Sequence, residues 1–190
     1  MGHFLDVAGS FIIGGIILLI LVTLNLNITA SSDENLFTNI AQKDMTTAIE
    51  ILEHDFYKIG YTIVGEKIAV ADSTEIKFYT DIANDNSDDS VHYYLSDVSD
   101  LSGTSNPLDR LLIRHKNDES LSAKFLVVDF NLSYYDSIGQ QLDYASLTNS
   151  SGREKIRSIN IAIRLESGEP IDGNYPAAEW KKKITPKNLK

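Results

Sequence analysis

The sequence predicts an α+β protein in which an N-terminal transmembrane helix leads to an amphipathic helix packed on an antiparallel β-meander. Three observations predict this class. An uncharged apolar run occupies residues 7–24. Apolar residues then recur every three or four positions as far as Ile59, which is the spacing of one helix face. From Tyr61 onward the period falls to two, which is typical of half-buried strands.

The apolar run has 18 residues, close to the roughly 20 that a helix needs to cross a hydrocarbon core of about 30 Å. A cleaved signal peptide is the alternative, but no Lys or Arg precedes the run, and the run exceeds the usual length of about 7 to 15 residues. We therefore expect a retained helix. The first basic residue is Lys43, so the positive-inside rule gives no orientation. We expect a single pass through a membrane, with the acidic body outside the cytoplasm.

Two features of the apolar segment suggest more than anchoring. Asp6 stands at its edge, where a carboxylate drawn below the headgroups costs about 3 kcal/mol and is usually kept for a function. Gly14 and Gly15 lie inside the run and favour either close helix packing or a break in the helix. We predict an interruption of the helix at these glycines or across the polar residues 25–32, and we favour the second place.

The amphipathic helix is predicted over residues 33–60. Ser31 and Glu34 have the spacing of a capping box, and Gly60 is a natural stop. The predicted apolar face consists of Phe37, Ile40, Ala41, Met45, Ala48, Ile49, Leu52, Phe56 and Ile59. This face needs a partner, and we expect it to cover the protein's own sheet.

The sheet is predicted over residues 61–166. The strand-like segments are "EKIAVA", "TEIKFYTDI", "SVHYYLS", "RLLIRHK", "KFLVVDFNLSYYDS" and "IRSINIAIRLES". Residues 167–190 contain three prolines and are predicted to form a loop with a solvated, lysine-rich end. The domain division is therefore residues 1–32 for the membrane helix and joint, and residues 33–190 for the globular part.

The charge and motif content exclude several functions. The net charge is −10, and five of the 17 basic residues lie in the last ten positions, so the body is strongly acidic and unsuited to nucleic acid. The chain has no cysteine and none of the common enzyme or nucleotide-binding motifs. We predict no catalytic residue, no cofactor and no metal centre. His54, Asp55, His92 and His115 are expected to be solvated surface residues.

The segment "DIANDNSDDS" carries the one weak candidate for a calcium loop. Asp81, Asp85, Ser87 and Asp89 offer the hard oxygen donors that Ca²⁺ prefers. The segment lacks the glycine and the distal glutamate of an EF-hand, however. We therefore predict weak calcium binding or none.

The order of an apolar helix with a carboxylate near its start, an amphipathic continuation and a β-meander resembles the type IV pilins. The segments "AIEILEHDFYKIGYTI", "STEIKFYTDIANDNSDDSVHYYLSD", "RLLIRHK", "VVDFNLSYYDSIGQQLD" and "REKIRSINIAIRLES" are similar to minor pilins of the PilW kind and to type II secretion pseudopilin J. The resemblance covers about residues 4–167. It implies a pilin-like fold and a filament subunit that is not an enzyme.

The same resemblance suggests a role for Asp6. The family normally has a basic leader that ends in glycine, and a glutamate at the fifth mature position. Here "GHFLD" stands at that junction, and removal of Met1 would make Asp6 the fifth residue. The resemblance implies that Asp6 pairs with the N-terminal amine of a neighbouring subunit.

The implied partners are other pilin-like subunits, the membrane assembly machinery and, before assembly, the lipid bilayer. After assembly the protein would lie in a cell-surface or periplasmic filament. The alternative is a single-pass, membrane-anchored extracytoplasmic binding or accessory protein that does not polymerise. The two differ in whether the apolar helix contacts copies of itself or only lipid.

Overall fold

The computed structural model describes residues 2–101, 103–117, 123–170 and 173–190. Met1 and tail residues 171–172, on which parts of the predictions fall, lie outside the described residues. The architecture is α+β, with one long N-terminal helix and two antiparallel sheets. The long helix, α1, runs from Gly2–Tyr57 over 56 residues. At 1.5 Å per residue it is about 84 Å long.

The predicted interruption of this helix is wrong for the single chain. One α-helix passes through Gly14, Gly15 and residues 25–32 without a break. Within the joint the Thr29 side chain does not replace a helical backbone bond, because it bonds one turn back along the helix. Thr29 Oγ1 donates to the Asn25 carbonyl at 3.0 Å, and this bond adds to the helix rather than replacing its own.

The predicted second helix start is wrong for the same reason. Ser31 and Glu34 lie inside α1, where their backbone amides already take part in the continuous helix. The Ser31 carbonyl also accepts a hydrogen bond from Asn35 Nδ2 at 2.8 Å. The predicted stop is close to the observed one. The helix ends at Tyr57, and Gly60 follows with a φ of +73°, a conformation that glycine adopts without strain.

Five strands form the first sheet in chain order, each antiparallel to the next. They are β1 (Ile68–Ala71), β2 (Glu75–Thr80), β3 (Asp89–Leu95), β4 (Arg110–Lys116) and β5 (Ala123–Val127). The second sheet has three antiparallel strands, again in chain order. They are β6 (Asp129–Tyr135), β7 (Ser158–Glu166) and β8 (Ala177–Ile184). A short helix, α2 (Ser150–Arg153), precedes β7.

The single meander that the sequence predicts is therefore two sheets. The segment "KFLVVDFNLSYYDS" supplies both β5 and β6, which are separated by Val128 alone. The burial pattern loses its two-residue phase here, because Val127 and Phe130 are both buried. The chain cannot keep both side chains on one face of a straight strand, so it turns into the second sheet. Val128 N bonds to the Arg164 carbonyl at 2.9 Å and joins the turn to β7.

The C-terminal tail is also more ordered than predicted. Residues 177–184 form β8 in place of the expected loop, and β8 pairs with β7 over eight positions. Trp180 and Ile184 alternate with exposed lysines, and Ile184 is fully buried. Lysines on the edge strand of a sheet prevent further strand pairing, which is why a basic segment suits this position.

The core lies between the second half of α1 and the two sheets. The buried residues of the helix are Ala41, Met45, Ala48, Leu52, Asp55 and Phe56. Phe56 packs edge-on against Phe78 of β2 with ring centroids 5.7 Å apart. We call residues 37–57 of α1 together with β1–β8 the head, and residues 2–36 the stem. The predicted apolar face of this part of the helix is confirmed, except that Ile40 is 47% exposed.

Candidate functional site

The stem is the most unusual surface of the molecule. Every residue from 10 to 36 is exposed, although most of those in residues 7–24 are apolar. Phe11 is 77% exposed and Leu19 65%, and such residues lie on all sides of the helix. A soluble monomer rarely leaves an apolar surface of this extent open to water. The surface of the stem is therefore suited to a surrounding of lipid or of other protein chains.

The stem has the dimensions of a membrane span. Within the described residues α1 is the one helix long and apolar enough to cross a bilayer, with a mean hydropathy of 2.7 in its most apolar window. Its 18-residue uncharged run is about 27 Å long, against about 30 Å for a hydrocarbon core. The Thr23 hydroxyl in this run donates to the Leu19 carbonyl at 2.9 Å, so it presents no unsatisfied donor to lipid.

Asp6 lies in the second turn of the stem and is exposed. Its carbonyl accepts a hydrogen bond from Ser10 Oγ at 2.8 Å, whereas its carboxylate has no partner in the described part of the chain. Asp6, His3, Val7, Ser10 and Phe11 border one shallow hollow on the helix surface. The structure thus leaves the carboxylate available to a group from outside the chain or to a rearranged neighbour within it.

Gly14 and Gly15 lie two turns further along the stem. A Cβ placed on either glycine would meet nothing within 4 Å. Neither glycine is therefore required by the packing or the backbone of the single chain. Glycine would be favoured over a larger residue at these positions only if another surface approached the stem closely.

The head contains a buried polar cluster that was not predicted from the sequence. Asp55, expected on the surface, is only 1% exposed. Its Oδ2 accepts hydrogen bonds from Tyr93 Oη of β3 at 2.7 Å and from Arg114 Nε of β4 at 2.6 Å. His54 Nδ1 lies 3.1 Å from Asp55 Oδ1, although the two residues are adjacent on the helix. The cluster joins the last turn of α1 to the centre of the first sheet.

The electrostatics of the cluster follow from its burial. Loss of solvent and the negative charge of Asp55 raise the pKa of Tyr93 well above its ordinary value, so the phenol stays protonated as a donor. Burial acts to lower the pKa of Arg114, but the hydrogen bond and charge of Asp55 outweigh it and raise the pKa. The arrangement is a buried charge pair with one further hydrogen-bond donor, and it fits a structural role.

Helical spacing offered a signal for this cluster. Ala41, Met45, Ala48 and Leu52 are buried at intervals of four, three and four residues, and a step of three from Leu52 reaches Asp55. Asp55 therefore lies at a position of the buried apolar stripe. Asp55 was expected on the surface because adjacent helical residues point about 100° apart, so His54 and Asp55 were not expected to act together. A charge is buried only where a partner such as Arg114 is present.

The strand histidines are not freely solvated either. His92 Nε2 lies 2.8 Å from Glu75 Oε1 on the neighbouring strand. Tyr94 stacks on the ring of His115 with centroids 5.7 Å apart, and its hydroxyl lies 3.1 Å from His115 Nε2. Both rings are half-buried and have partners, so the prediction that these two are solvated surface residues holds only in part, whereas His54 is 57% exposed as predicted. The β-ladder brings together residues 17 and 21 positions apart, which sequence spacing does not show.

The candidate calcium loop uses its carboxylates to hold its own backbone. Asp81 is 1% exposed, and its two oxygens accept hydrogen bonds from the amides of Asp85 and Asn86, each at 3.0 Å. Asp85 Oδ1 in turn accepts from the Ser87 amide at 2.9 Å. Bonds of this kind stabilise a turn without an ion.

Asp89 completes the loop from the start of β3. Its Oδ2 accepts from the Ile82 amide at 3.1 Å, and its Oδ1 accepts from Asn117 Nδ2 at 2.9 Å. Burial opposes ionisation of Asp89, but these hydrogen bonds and the charge of Lys116 outweigh it and lower its pKa. In the described parts of the chain no group of three or more His, Cys, Asp or Glu side chains is arranged to hold a metal. Weak calcium binding or none stays a prediction for this loop.

A second buried acid, Asp109, lies where the segment before β4 meets the β7–β8 connection. Ser105 N bonds to the Gly168 carbonyl at 3.0 Å, and Asn106 Nδ2 donates to Glu166 at 2.9 Å. Asp109 itself is 1% exposed, and neither of its oxygens has a hydrogen-bond partner among the described residues. Burial raises the pKa of Asp109, the Thr104 hydroxyl partly opposes this rise, and the charge of Glu166 adds to it.

The fold and the exposed stem define an α+β protein with one N-terminal helix suited to membrane anchoring. The comparisons with known proteins add no family to this class. No protein-family model, no curated protein and no solved structure matches the chain.

Proposed function

We propose that this protein is a structural subunit of a type IV pilus-like filament or of a type II secretion pseudopilus, in the manner of a minor pilin or pseudopilin. The subunit is held in the inner membrane by its stem before assembly. It then packs its stem against the stems of other subunits, and its head lies on the outside of the filament. No catalytic step is assigned to it.

One observation carries this proposal. The exposed apolar stem and the buried helix of the head are a single element, α1, so a force on the stem is transmitted directly to the head. A protein that is only anchored in a membrane needs no more than an apolar segment joined to its globular part by a flexible linker. A rigid continuous helix instead fixes each head relative to the shared core that packed stems would form. The resemblance of the sequence to the pilins supports the same reading.

Asp6 supplies the selectivity of assembly in this proposal. A carboxylate without a partner is costly in an apolar surrounding, whereas a paired carboxylate is tolerated. Asp6 has no partner in the described chain, so packing against a neighbour that offers a cation stabilises the assembled form over the isolated subunit. The N-terminal amine of a neighbouring subunit is the partner that the pilin resemblance suggests.

Disulfide trapping in membranes tests the proposal directly, because the chain has no cysteine. Ile16→Cys and Leu18→Cys together place thiols about 200° apart around the stem. In membranes that contain the assembly machinery, oxidation is expected to give a ladder of covalent oligomers beyond the dimer, and electron microscopy of the same cells is expected to show filaments.

Asp6→Asn in this double-cysteine chain is expected to remove the ladder and the filaments while the head stays folded. Asp33→Asn is the matched control, since it removes an exposed carboxylate of the same helix outside the apolar run, and it is expected to keep both. Monomers alone in the parent chain, with no filaments, would favour the second candidate, a membrane-anchored extracytoplasmic accessory protein. A stem that is apolar and exposed on all sides is equally suited to a surrounding of lipid alone. This observation supports the accessory protein as the second candidate.

A further inference from the structure

A groove at the base of the head has an apolar floor and an acidic rim. Its apolar side chains come from α1, β5 and β7 and include Ile40, Leu126 and Leu165. Three acids border the same space of about 280 Å³, namely Asp44, Glu166 and Glu169. Among the described residues that line the groove there is no Lys, Arg or His. Glu166 already pairs with Arg164 at 2.7 Å, whereas Asp44 and Glu169 are exposed at the rim.

The other end of the head is formed by two segments that meet where α1 ends. We define residues 61–67 and 185–190 as the tip. Lys67 Nζ donates to the Asn188 carbonyl, and Asn188 Nδ2 donates to the Ile59 carbonyl at 3.4 Å. The groove begins on α1 at residues 37–44, so the groove and the tip are about 20 Å apart along the helix.

The tip carries one apolar side chain among positive charges. Val64 is 97% exposed, more than any other large apolar side chain among the described residues. The three lysines of the tip are Lys67, Lys187 and Lys190. Its one acidic side chain, Glu66, already pairs with Arg153. An apolar centre with a charged rim is the usual arrangement of a protein interface, and the tip therefore complements the groove in both polarity and charge.

We propose that the tip of one chain docks into the groove of a second copy, with Val64 against the apolar floor and the lysines beside Asp44 and Glu169. The inference deepens the proposed function, on which it rests, because it names a contact between heads in the filament. The stems of such a filament are parallel, so the contact is head-to-tail and continues from copy to copy without closing.

The contact requires an offset between the two copies. Parallel stems in a flat bilayer hold all heads at one height, so a tip cannot reach a groove that lies about 20 Å away along the helix. Displacement of one chain along its neighbour during assembly brings the two surfaces together. The packed stems also keep the heads at a high local concentration, so a small contact is sufficient.

The acidic loop of residues 81–89 limits how the tip can dock. Asp81 N donates to the Tyr61 carbonyl at 3.1 Å, so this loop borders the tip. Asp85 and Asp88 of the loop are exposed and repel the acidic rim of a groove. The groove therefore receives the part of the tip that carries the lysines.

The direct test combines Val64→Cys with Ile40→Cys in the full chain, in membranes that contain the assembly machinery. Oxidation is expected to give covalent oligomers beyond the dimer, and peptide mass spectrometry is expected to find a bond between residues 64 and 40 of different chains. Each single-cysteine chain can form no more than a dimer. Bonds that join only two copies of the same position would overturn the inference.

The matched control combines Ile138→Cys with Ile40→Cys. Ile138 is an apolar residue that is 82% exposed, but it lies in a turn with Asp136 and without a lysine. Because this turn lacks the charge complementarity of the tip, its bond to residue 40 is expected to form with a yield about tenfold lower. Equal yields in the two pairs would show that the groove captures any exposed apolar residue and would overturn the inference.

Charge reversal in the chain with cysteines at positions 64 and 40 tests the complementarity. Asp44→Lys with Glu169→Lys is expected to lower the yield of the 64–40 bond about tenfold, and so is Lys187→Glu with Lys190→Glu. All four residues are exposed, so the head is expected to stay folded. The four substitutions together exchange the charges of tip and groove and are expected to restore most of the yield. A fourfold variant no better than either reversal alone would contradict the docking.

The stem ladder separates this inference from the proposed function. A stem ladder and filaments in the Ile16→Cys, Leu18→Cys chain, without a 64–40 bond in its counterpart, would overturn the inference alone. Absence of the stem ladder and of filaments would contradict the proposed function and, with it, the docking of heads in a filament.

Discussion

Two buried acids of the head, Asp55 and Asp109, differ in what surrounds their carboxylates. Asp55 accepts hydrogen bonds from Tyr93 and Arg114, so its charge is compensated. Among the described residues neither Asp109 oxygen accepts a hydrogen bond of ordinary geometry, the Thr104 hydroxyl offsets its burial only in part, and Glu166 adds negative charge beside it. The same type of side chain is therefore expected to stabilise the head at one position and to destabilise it at the other.

Asp55→Asn tests the first acid. The amide keeps the shape of the side chain but leaves the guanidinium of Arg114 half-buried without a counter-charge. Breaking a buried pair in this way costs about 3–5 kcal/mol, and we expect the free energy of unfolding to fall by about 3 kcal/mol. Urea unfolding of the full chain in detergent, followed by the fluorescence of Trp180, measures the change. Trp180 is the one tryptophan of the chain and lies in β8.

Glu53→Gln is the matched control for this substitution. Glu53 lies on the same helix as Asp55 and pairs with Lys182 of β8 at 2.8 Å, but both side chains are more than a quarter exposed. Such a pair contributes about 0–1 kcal/mol, so the control is expected to be nearly neutral. Equal losses in the two variants would show that the Asp55 cluster is no more than a surface ion pair.

Asp109→Asn tests the second acid. Its raised pKa means that the folded state holds the proton more tightly than the unfolded chain does. The contribution of Asp109 to stability is therefore fully present at low pH and is lost as pH rises through the raised pKa. We expect the variant to be about 1 kcal/mol more stable than the parent at pH 7, with the gain disappearing towards pH 4.

The same unfolding assay at both pH values checks this sign. Asp88→Asn, which changes an exposed acid of the loop before β3, is the control and should show no such pH-dependent gain. A variant that is less stable than the parent at pH 7 would indicate that Asp109 holds a favourable contact and would contradict the prediction.

At the scale of elements, α1 is one helix in two surroundings. Residues 37–57 bury a stripe against the sheets, whereas residues 10–36 are all exposed. The unbroken geometry comes from local bonds, including the hydroxyl bonds one turn back. Gly14 and Gly15 do not interrupt it, because a helix supported by neighbouring turns tolerates two residues of low helix propensity.

The double variant Gly14→Ala, Gly15→Ala tests whether these glycines matter for the helix of the single chain or for contact between the stems of different chains. Alanine is favoured over glycine by about 1 kcal/mol per position in a helix, and the added methyl groups meet nothing within 4 Å. The helical content of the single chain in detergent is expected to stay the same or rise by circular dichroism. If the glycines allow close contact between stems, the disulfide ladder in membranes is expected to weaken.

Gly9→Ala is the control, since its added methyl group also meets nothing within 4 Å and it lies nearer the start of the stem. An unchanged ladder in the double alanine variant would mean that the glycines do not lie at a contact between stems. A fall in helical content would contradict the account of α1 as a locally stable helix.

At the scale of the whole molecule, the head has a complete core of its own. The buried apolar residues come from the second half of α1 and from both sheets, and those on α1 begin at Ala41. The first 36 residues contribute no buried residue among those described. The stem and the head are thus parts of one continuous helix, but the core of the head is packed without any residue of the stem.

A chain that starts at Asp33 is therefore expected to be soluble, folded and monomeric at neutral pH. Its remaining helix keeps every buried position of α1, so the hydrophobic stabilisation of the core is retained. Circular dichroism and size-exclusion chromatography measure this, with the full chain in detergent as the reference for head structure. Aggregation, or a spectrum without folded structure, would show that the stem contributes to the fold.

The sequence alone determined the features that depend on local pattern. The uncharged run, the helical stripe from Ala41 to Phe56 and the segment "RLLIRHK", which is β4 residue for residue, follow from periodicities that solvent and lipid impose on each element separately. The acidic turn at Asp81 also lies in a predicted loop, because carboxylates that bond to nearby amides act over a few residues.

Only the tertiary structure decided the features that join distant residues. The partners of Asp55 lie 38 and 59 residues away, and the basic segment of β8 becomes a strand because β7 offers it an edge to pair with. The division into two sheets at Val128 likewise depends on which face the core occupies. Hydrogen bonds and burial between distant segments offset the free-energy cost of burying the Asp55 charge and of placing lysines in a strand. Because these contacts join distant residues, a local sequence pattern does not predict them.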